Sequence, residues 1–178
     1  AETIGTRFTT VTAGIDFQHQ NGATGDFHLP ETIGSGLAWL DYDNDGFLDL
    51  YCVNSGYWQS PRKPSSTELG SRLYRNLGDG TFADVTNNTG VDNTDQEMGV
   101  GQQPYGQGVT VADYDNDSDA DLYLTNFGAN RLYQNNGDGT FTDVTDNAGV
   151  GDRGWSSSAT FLDIDLDGFL DLYVVNYL

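Results

Sequence analysis

The chain has 178 residues, 27 acidic against seven basic, and a formal charge of −20. Such a field repels polyanions and excludes nucleic acid and anionic membranes as partners. No apolar run approaches the ~20 residues of a membrane span, and a single cysteine, Cys52, leaves no internal disulfide framework.

Phe8-Thr9-Thr10-Val11-Thr12 and Ala13-Gly14-Ile15 match Phe141 to Thr145 and Ala148-Gly149-Val150 further on, so the chain is expected to open on the last strand of a repeat unit. His19 and His28, the only histidines, lie in the lead-in loop and read as surface residues rather than bases. A first strand is predicted at Leu37 to Leu40. It runs into Asp41-Tyr42-Asp43-Asn44-Asp45-Gly46-Phe47-Leu48-Asp49. Carboxylates at positions 1, 3, 5 and 9, with the main-chain carbonyl of Phe47 at position 7, supply oxygens for Ca²⁺, which takes six to eight at about 2.3–2.6 Å. Four like charges this close repel one another unless a cation holds them. The spacing is not that of an EF-hand, which needs a bidentate Glu at position 12 and flanking helices. Position 12 is Cys52 here and Leu124 and Val174 in the later copies. A D-x-D phosphatase nucleophile is also disfavoured, because a nucleophile is needed once and the ladder occurs three times.

The second strand, Leu48 to Val53, puts Leu48, Leu50 and Cys52 on one face and Asp49, Tyr51 and Val53 on the other. Cys52 reads as a buried structural thiol. An insertion over 55–72 carries Tyr57, Trp58, Arg62, Lys63 and Arg72. It reads either as a binding loop for a glycan or acidic partner, or as a surface loop whose aromatics cover a sheet edge. The stretch from Leu73 to Thr86 is a hairpin turning through Asn76-Leu77-Gly78-Asp79-Gly80. Asn87-Asn88-Thr89 is a glycosylation sequon in an expected exposed turn. A second insertion over 92–108, with Met98 and Tyr105, reads as a solvent-exposed spacer.

The unit then returns. Val109 to Ala112 leads into Asp113, Asp115, Asp117, Asp119 and Asp121, with Asp119 offering the position-7 carbonyl and Ser118 replacing glycine at position 6. If that position requires positive φ, serine costs roughly 1–2 kcal/mol there. Leu122 to Thr125 and a hairpin from Leu132 to Thr145 complete the copy. A third begins with Ala159 to Leu162, the ladder Asp163, Asp165, Asp167, Phe169 (carbonyl) and Asp171, and the strand Leu170 to Val175.

Four short antiparallel strands per unit describe propeller blades, so the expected class is all-β. The segments are a D strand and lead-in loop over 1–34, a first blade over 35–91, a linker insertion and second blade over 92–150, and a partial blade over 151–178. With these ladders, and with Ala13-Gly14-Ile15-Asp16-Phe17, Asn21-Gly22, Leu29-Pro30-Glu31-Thr32 and Gly34-Ser35-Gly36 ahead of the first, the chain resembles the FG-GAP/VCBS repeat family of Ca²⁺-loop propellers found in integrin α chains. Within it, the likeness is to the branch containing cartilage acidic protein and the UnbV-type bacterial proteins. The resemblance implies the blade fold and three Ca²⁺ sites held by the ladder aspartates. It also implies an incomplete propeller, since family rings close with about seven blades and this chain holds two whole ones and partial ends. The expected function is a non-catalytic, secreted or cell-surface module with a structural or adhesive role. Its open strand edges are expected to meet the rest of a longer propeller or another copy, head to tail, with glycans or extracellular proteins as further partners. A lectin and a Ca²⁺-dependent polysaccharide lyase are the alternatives.

Overall fold

A computed structural model describes residues 10, 13–23, 25–56, 70–91 and 105–177. Among these residues, ten strands form three antiparallel sheets. The first contains β1 (Leu37–Leu40), β2 (Asp49–Cys52), β3 (Arg72–Asn76) and β4 (Phe82–Asp84) in that order. The second repeats it with β5 (Tyr105–Ala112), β6 (Asp121–Phe127), β7 (Arg131–Asn135) and β8 (Phe141–Asp143). The third pairs β9 (Ser156–Leu162) with β10 (Asp171–Asn176). One-turn helices α1 (Thr86–Thr89) and α2 (Thr145–Ala148) close the first two units. These are propeller-type blades, all antiparallel, and the all-β expectation is met.

The registers explain why both faces of the strands are apolar. Leu37 pairs with Cys52, Trp39 with Leu50, and Leu50 with Tyr74, so these share one face; Leu40, Tyr51 and Leu73 share the other. The second face packs against the next blade: Leu40, Tyr42, Tyr51, Val53 and Leu73 form one core with Leu122, Leu124, Tyr133 and Phe141. Blade two in turn meets blade three through Tyr123 against Phe161 and Phe127 against Trp155. The core therefore lies between sheets. A strand buried on both faces loses the clean polar alternation of a one-sided sheet.

Blade contact is closest where β5 starts. Gly36 N–H donates to Gln107 O at 2.8 Å, and a Cβ on Gly106 would sit 2.5 Å from Asn54 O and from Val53 Cγ1. This corrects one expectation, because Tyr105 to Gly108 are strand rather than exposed spacer. Tyr105 is buried, and its hydroxyl donates to Asn21 O at 2.8 Å. Met98 and the rest of that insertion lie outside the described residues. So does the predicted opening strand apart from Thr10, which is exposed and in no strand. The lead-in segment straps blade one, with Ala13 O accepting from Phe82 N at 2.8 Å and Phe17 packed on Leu50, Cys52 and Tyr74. Cys52 is buried, and burial pushes its thiol up to about 11, as expected of a structural residue. His19 departs from the surface reading: its Nε2 is 3.0 Å from both Ser35 and Ser55 hydroxyls, which donate to Gly106 O at the blade junction.

Overpacking that junction wedges the blades apart. Gly106→Ala is expected to destabilise the protein by about 1–3 kcal/mol, read by denaturant unfolding; Gly34→Ala, where nothing lies within 4 Å and the backbone is not left-handed, is the open-space control.

Candidate metal centres

Each ladder occupies the loop between the first and second strands of its sheet, and the three loops share one backbone mould. The position-1 aspartate closes it: Asp41 accepts from Asp45 N (3.1 Å) and Gly46 N (2.9 Å), Asp113 from Asp117 N (3.0 Å) and Ser118 N (2.9 Å), Asp163 from Asp167 N (3.1 Å) and Gly168 N (3.0 Å). Position 5 then caps the turn, with Asp45, Asp117 and Asp167 each accepting the N–H two residues on. Position 9 anchors the loop to the sheet. Asp49 accepts Tyr42 N at 3.0 Å and, from the third strand, Asn76 N at 2.7 Å. Asp121 does the same with Tyr114 N and Asn135 N at 3.0 and 2.8 Å. Asp171 accepts Ile164 N at 3.0 Å.

Position 6 adopts positive φ in all three loops, at Gly46 (87°), Ser118 (78°) and Gly168 (91°). Position 4 does so too, at Asn44 (56°), Asn116 (63°) and Leu166 (63°). Asparagine tolerates this region, whereas leucine is strained in it. Both asparagines also reach the following blade: Asn44 Nδ2 donates to Asp119 Oδ1 at 2.6 Å and Asn116 Nδ2 to Gly168 O at 3.2 Å. The first two copies carry Asn here and the third carries Leu, a signal readable in sequence once position 4 is compared.

The carboxylates converge. Oxygens of Asp41, Asp43 and Asp45 lie within 4.8 Å of one another, as do those of Asp113, Asp115 and Asp121, and of Asp163, Asp165 and Asp171. Asp49, Asp117 and Asp167 belong to the same loops but fall outside those groups. Asp119 turns its carboxylate towards Asn44, leaving only its carbonyl for the loop. Phe47 and Phe169 have exposed side chains and offer carbonyls at the same position. The donor set is all oxygen, as a hard cation requires. Asp43 Oδ1 and Asp115 Oδ1 are buried without any hydrogen-bond partner; an oxygen so placed is costly without a positive neighbour. Desolvation pushes Asp121 up to about 6 against the pull of its two N–H donors, and Asp49 is raised for the same reason. A bound cation would remove that cost. The residues therefore fit Ca²⁺.

Other candidate residues fall elsewhere. Arg72 sits in β3 with Nε 3.3 Å from Asp84 Oδ2, so it belongs to the sheet and not to an inserted binding loop. Tyr57, Trp58, Arg62 and Lys63 lie outside the described residues. Asn87 is exposed on α1, while Thr89 of its sequon is buried and donates to Thr86 O. Asp79 is spent on its own turn, accepting from Thr81 N and Oγ1.

A model of the FG-GAP-like repeat matches residues 41–124 and 113–174. The chain is also similar to cartilage acidic protein 1 of Xenopus tropicalis, at 32% identity over 118 residues, which are 64% of this chain and 15% of that protein. The match thus spans a small fraction of that relative's length.

The strained positions yield a test. Ser118→Gly is expected to stabilise by about 0.5–1 kcal/mol once glycine's greater freedom in the unfolded chain is subtracted. Leu166→Asn should gain about 1 kcal/mol by relieving a left-handed leucine. Thermal denaturation of the single variants reads both.

Proposed function

The chain belongs to the FG-GAP-like repeat family, and on that premise we propose that it is a calcium-loaded, non-catalytic extracellular module with a structural or adhesive role. The observation that carries the calcium reading is the pair of buried, partnerless oxygens at Asp43 and Asp115, each within an all-carboxylate group that recurs three times. Aspartates that turn one oxygen inward and use the other on the protein are arranged for a cation that completes the set. The extracellular reading rests on the family, with an oxygen donor set of the kind extracellular modules fill where calcium is abundant. No described helix is long and apolar enough to cross a membrane.

The structural role rests on two outer faces, the one on blade three bare and the one on blade one covered only in part, by Phe17 of the lead-in segment. Tyr42 and Tyr51 of blade one are 5% and 0% exposed beneath blade two, while their counterparts Ile164 and Tyr173 in blade three are 71% and 62% exposed. On blade one, Leu37 and Trp39 are exposed, whereas their counterparts Val109 and Val111 pack into the core. The two outer faces are the complementary halves of one interface. A further blade, from the same polypeptide or from a second copy, fits each, and repeated use of such a head-to-tail contact builds a ring or a filament.

Calcium in excess should raise the melting temperature over that in EGTA by about 10 °C, since a ligand at a thousand times its Kd contributes about 4 kcal/mol. Isothermal titration should count three equivalents, two after Asp113→Ala, and still three after Asp79→Ala. An identical melting curve in EGTA overturns the calcium reading. The assembly reading has its own test: in calcium the chain should sediment as species heavier than 19.3 kDa, and Tyr173→Asp combined with Val175→Asp should return it to that mass. A monodisperse monomer of the unaltered chain overturns assembly between copies.

A further inference from the structure

The first loop already contains a cation. Arg75, on the third strand of blade one, places Nη2 2.8 Å from Asp45 Oδ2 as a hydrogen-bond donor. Its Nε lies 2.6 Å from Asp43 Oδ2 in a geometry that makes no hydrogen bond, so that contact is one of charge alone. The equivalent residue in blade two is Gln134, whose Nε2 donates to Asp115 Oδ2 at 2.6 Å. No third strand faces the last loop among the described residues. One structural place, the third-strand residue over the position-3 aspartate, is thus charged in one blade and neutral in the other.

The consequence is visible in how the carboxylates gather. In the second and third loops the group is made by positions 1, 3 and 9. In the first it is made by positions 1, 3 and 5, the last two being the pair that Arg75 touches.

Resting on the calcium reading above, we propose that Arg75 is a resident counter-ion that sets the first loop apart: it weakens calcium binding there and holds the loop together when calcium is scarce. A guanidinium keeps its proton throughout the range in which proteins fold, so this charge is permanent. It offsets repulsion among Asp41, Asp43 and Asp45 in the metal-free protein. Once a divalent ion arrives, the same charge becomes a like neighbour across a few ångströms and opposes it. Gln134 supplies the positioning hydrogen bond without the charge, which leaves the second loop its full attraction for the ion. Arg75 is a positioning residue rather than a ligand, and its side chain is partly exposed, so replacing it does not open the core.

The N–H groups of Gly46, Ser118 and Gly168 are each donated to the first aspartate of their own loop, so their NMR signals follow the three loops separately. In a titration with calcium chloride, Gly46 is expected to respond at higher calcium than Ser118. Arg75→Gln should move the Gly46 midpoint to about tenfold lower calcium and lower the melting temperature in EGTA. Gln134→Arg should move the Ser118 midpoint the opposite way. A Gly46 midpoint unchanged in Arg75→Gln, while all three loops still bind, overturns the counter-ion role and leaves the calcium reading standing. An unchanged melting temperature in EGTA overturns its metal-free half. No response in any loop of the unaltered chain overturns both readings together.

Discussion

A carboxylate without solvent begins the second strand of each complete blade. Asp49 and Asp121 are fully buried, and each is tolerated because both oxygens are occupied by backbone N–H groups. One donor comes from the second residue of the loop and the other from the third strand. A single side chain therefore fixes where the loop leaves the sheet, and also where the third strand pairs. The negative charge cannot be dispersed into water, so the loop around it must supply positive potential. Donor N–H groups provide some, and the remaining carboxylates are arranged as a group that calls for more. Sheet register and loop shape both follow from that one buried group.

The repeating parts of this arrangement were legible because they are local. Alternating apolar strands, Asp-Gly turns and the aspartate spacing each depend on residues a few positions apart, and the strands lie within a few residues of where the pattern put them. The reasons for the remainder are spatial. Arg75 is part of the hairpin pattern, and nothing in the local sequence says that its side chain crosses to Asp43 and Asp45. His19 reads as a surface residue, but its partners Ser35 and Ser55 flank the paired strands β1 and β2 and donate to Gly106 O of the second blade. Tyr105 lies in a stretch rich in glycine and glutamine, and its described glycines, Gly106 and Gly108, signify close approach rather than freedom. The strain at Leu166 is hidden differently: the aspartates define the repeat, and the residue that departs lies between two of them.

Loop geometry and blade stacking are not independent in this chain. Asn44 lies inside the first loop and donates to the Asp119 carboxylate of the second; Asn116 lies inside the second and donates to Gly168 O of the third. Each loop thus touches the next through the residue that sits at positive φ, which is the conformation the loop must hold to gather its carboxylates. Tyr42, the second residue of the first loop, is stacked 6.3 Å from Phe141, and its carbonyl accepts from Asn135 Nδ2 at 2.9 Å. Whatever orders one loop therefore orders a strip of the blade interface. The converse also holds, because a blade that swings away withdraws hydrogen-bond partners from its neighbour's loop. Coupling of this kind is reciprocal by thermodynamic necessity. In the third blade Leu166 replaces the bridging asparagine and projects outward, 86% exposed, beside Ile164. At the place where the first two loops offer an amide donor, the third offers an apolar side chain.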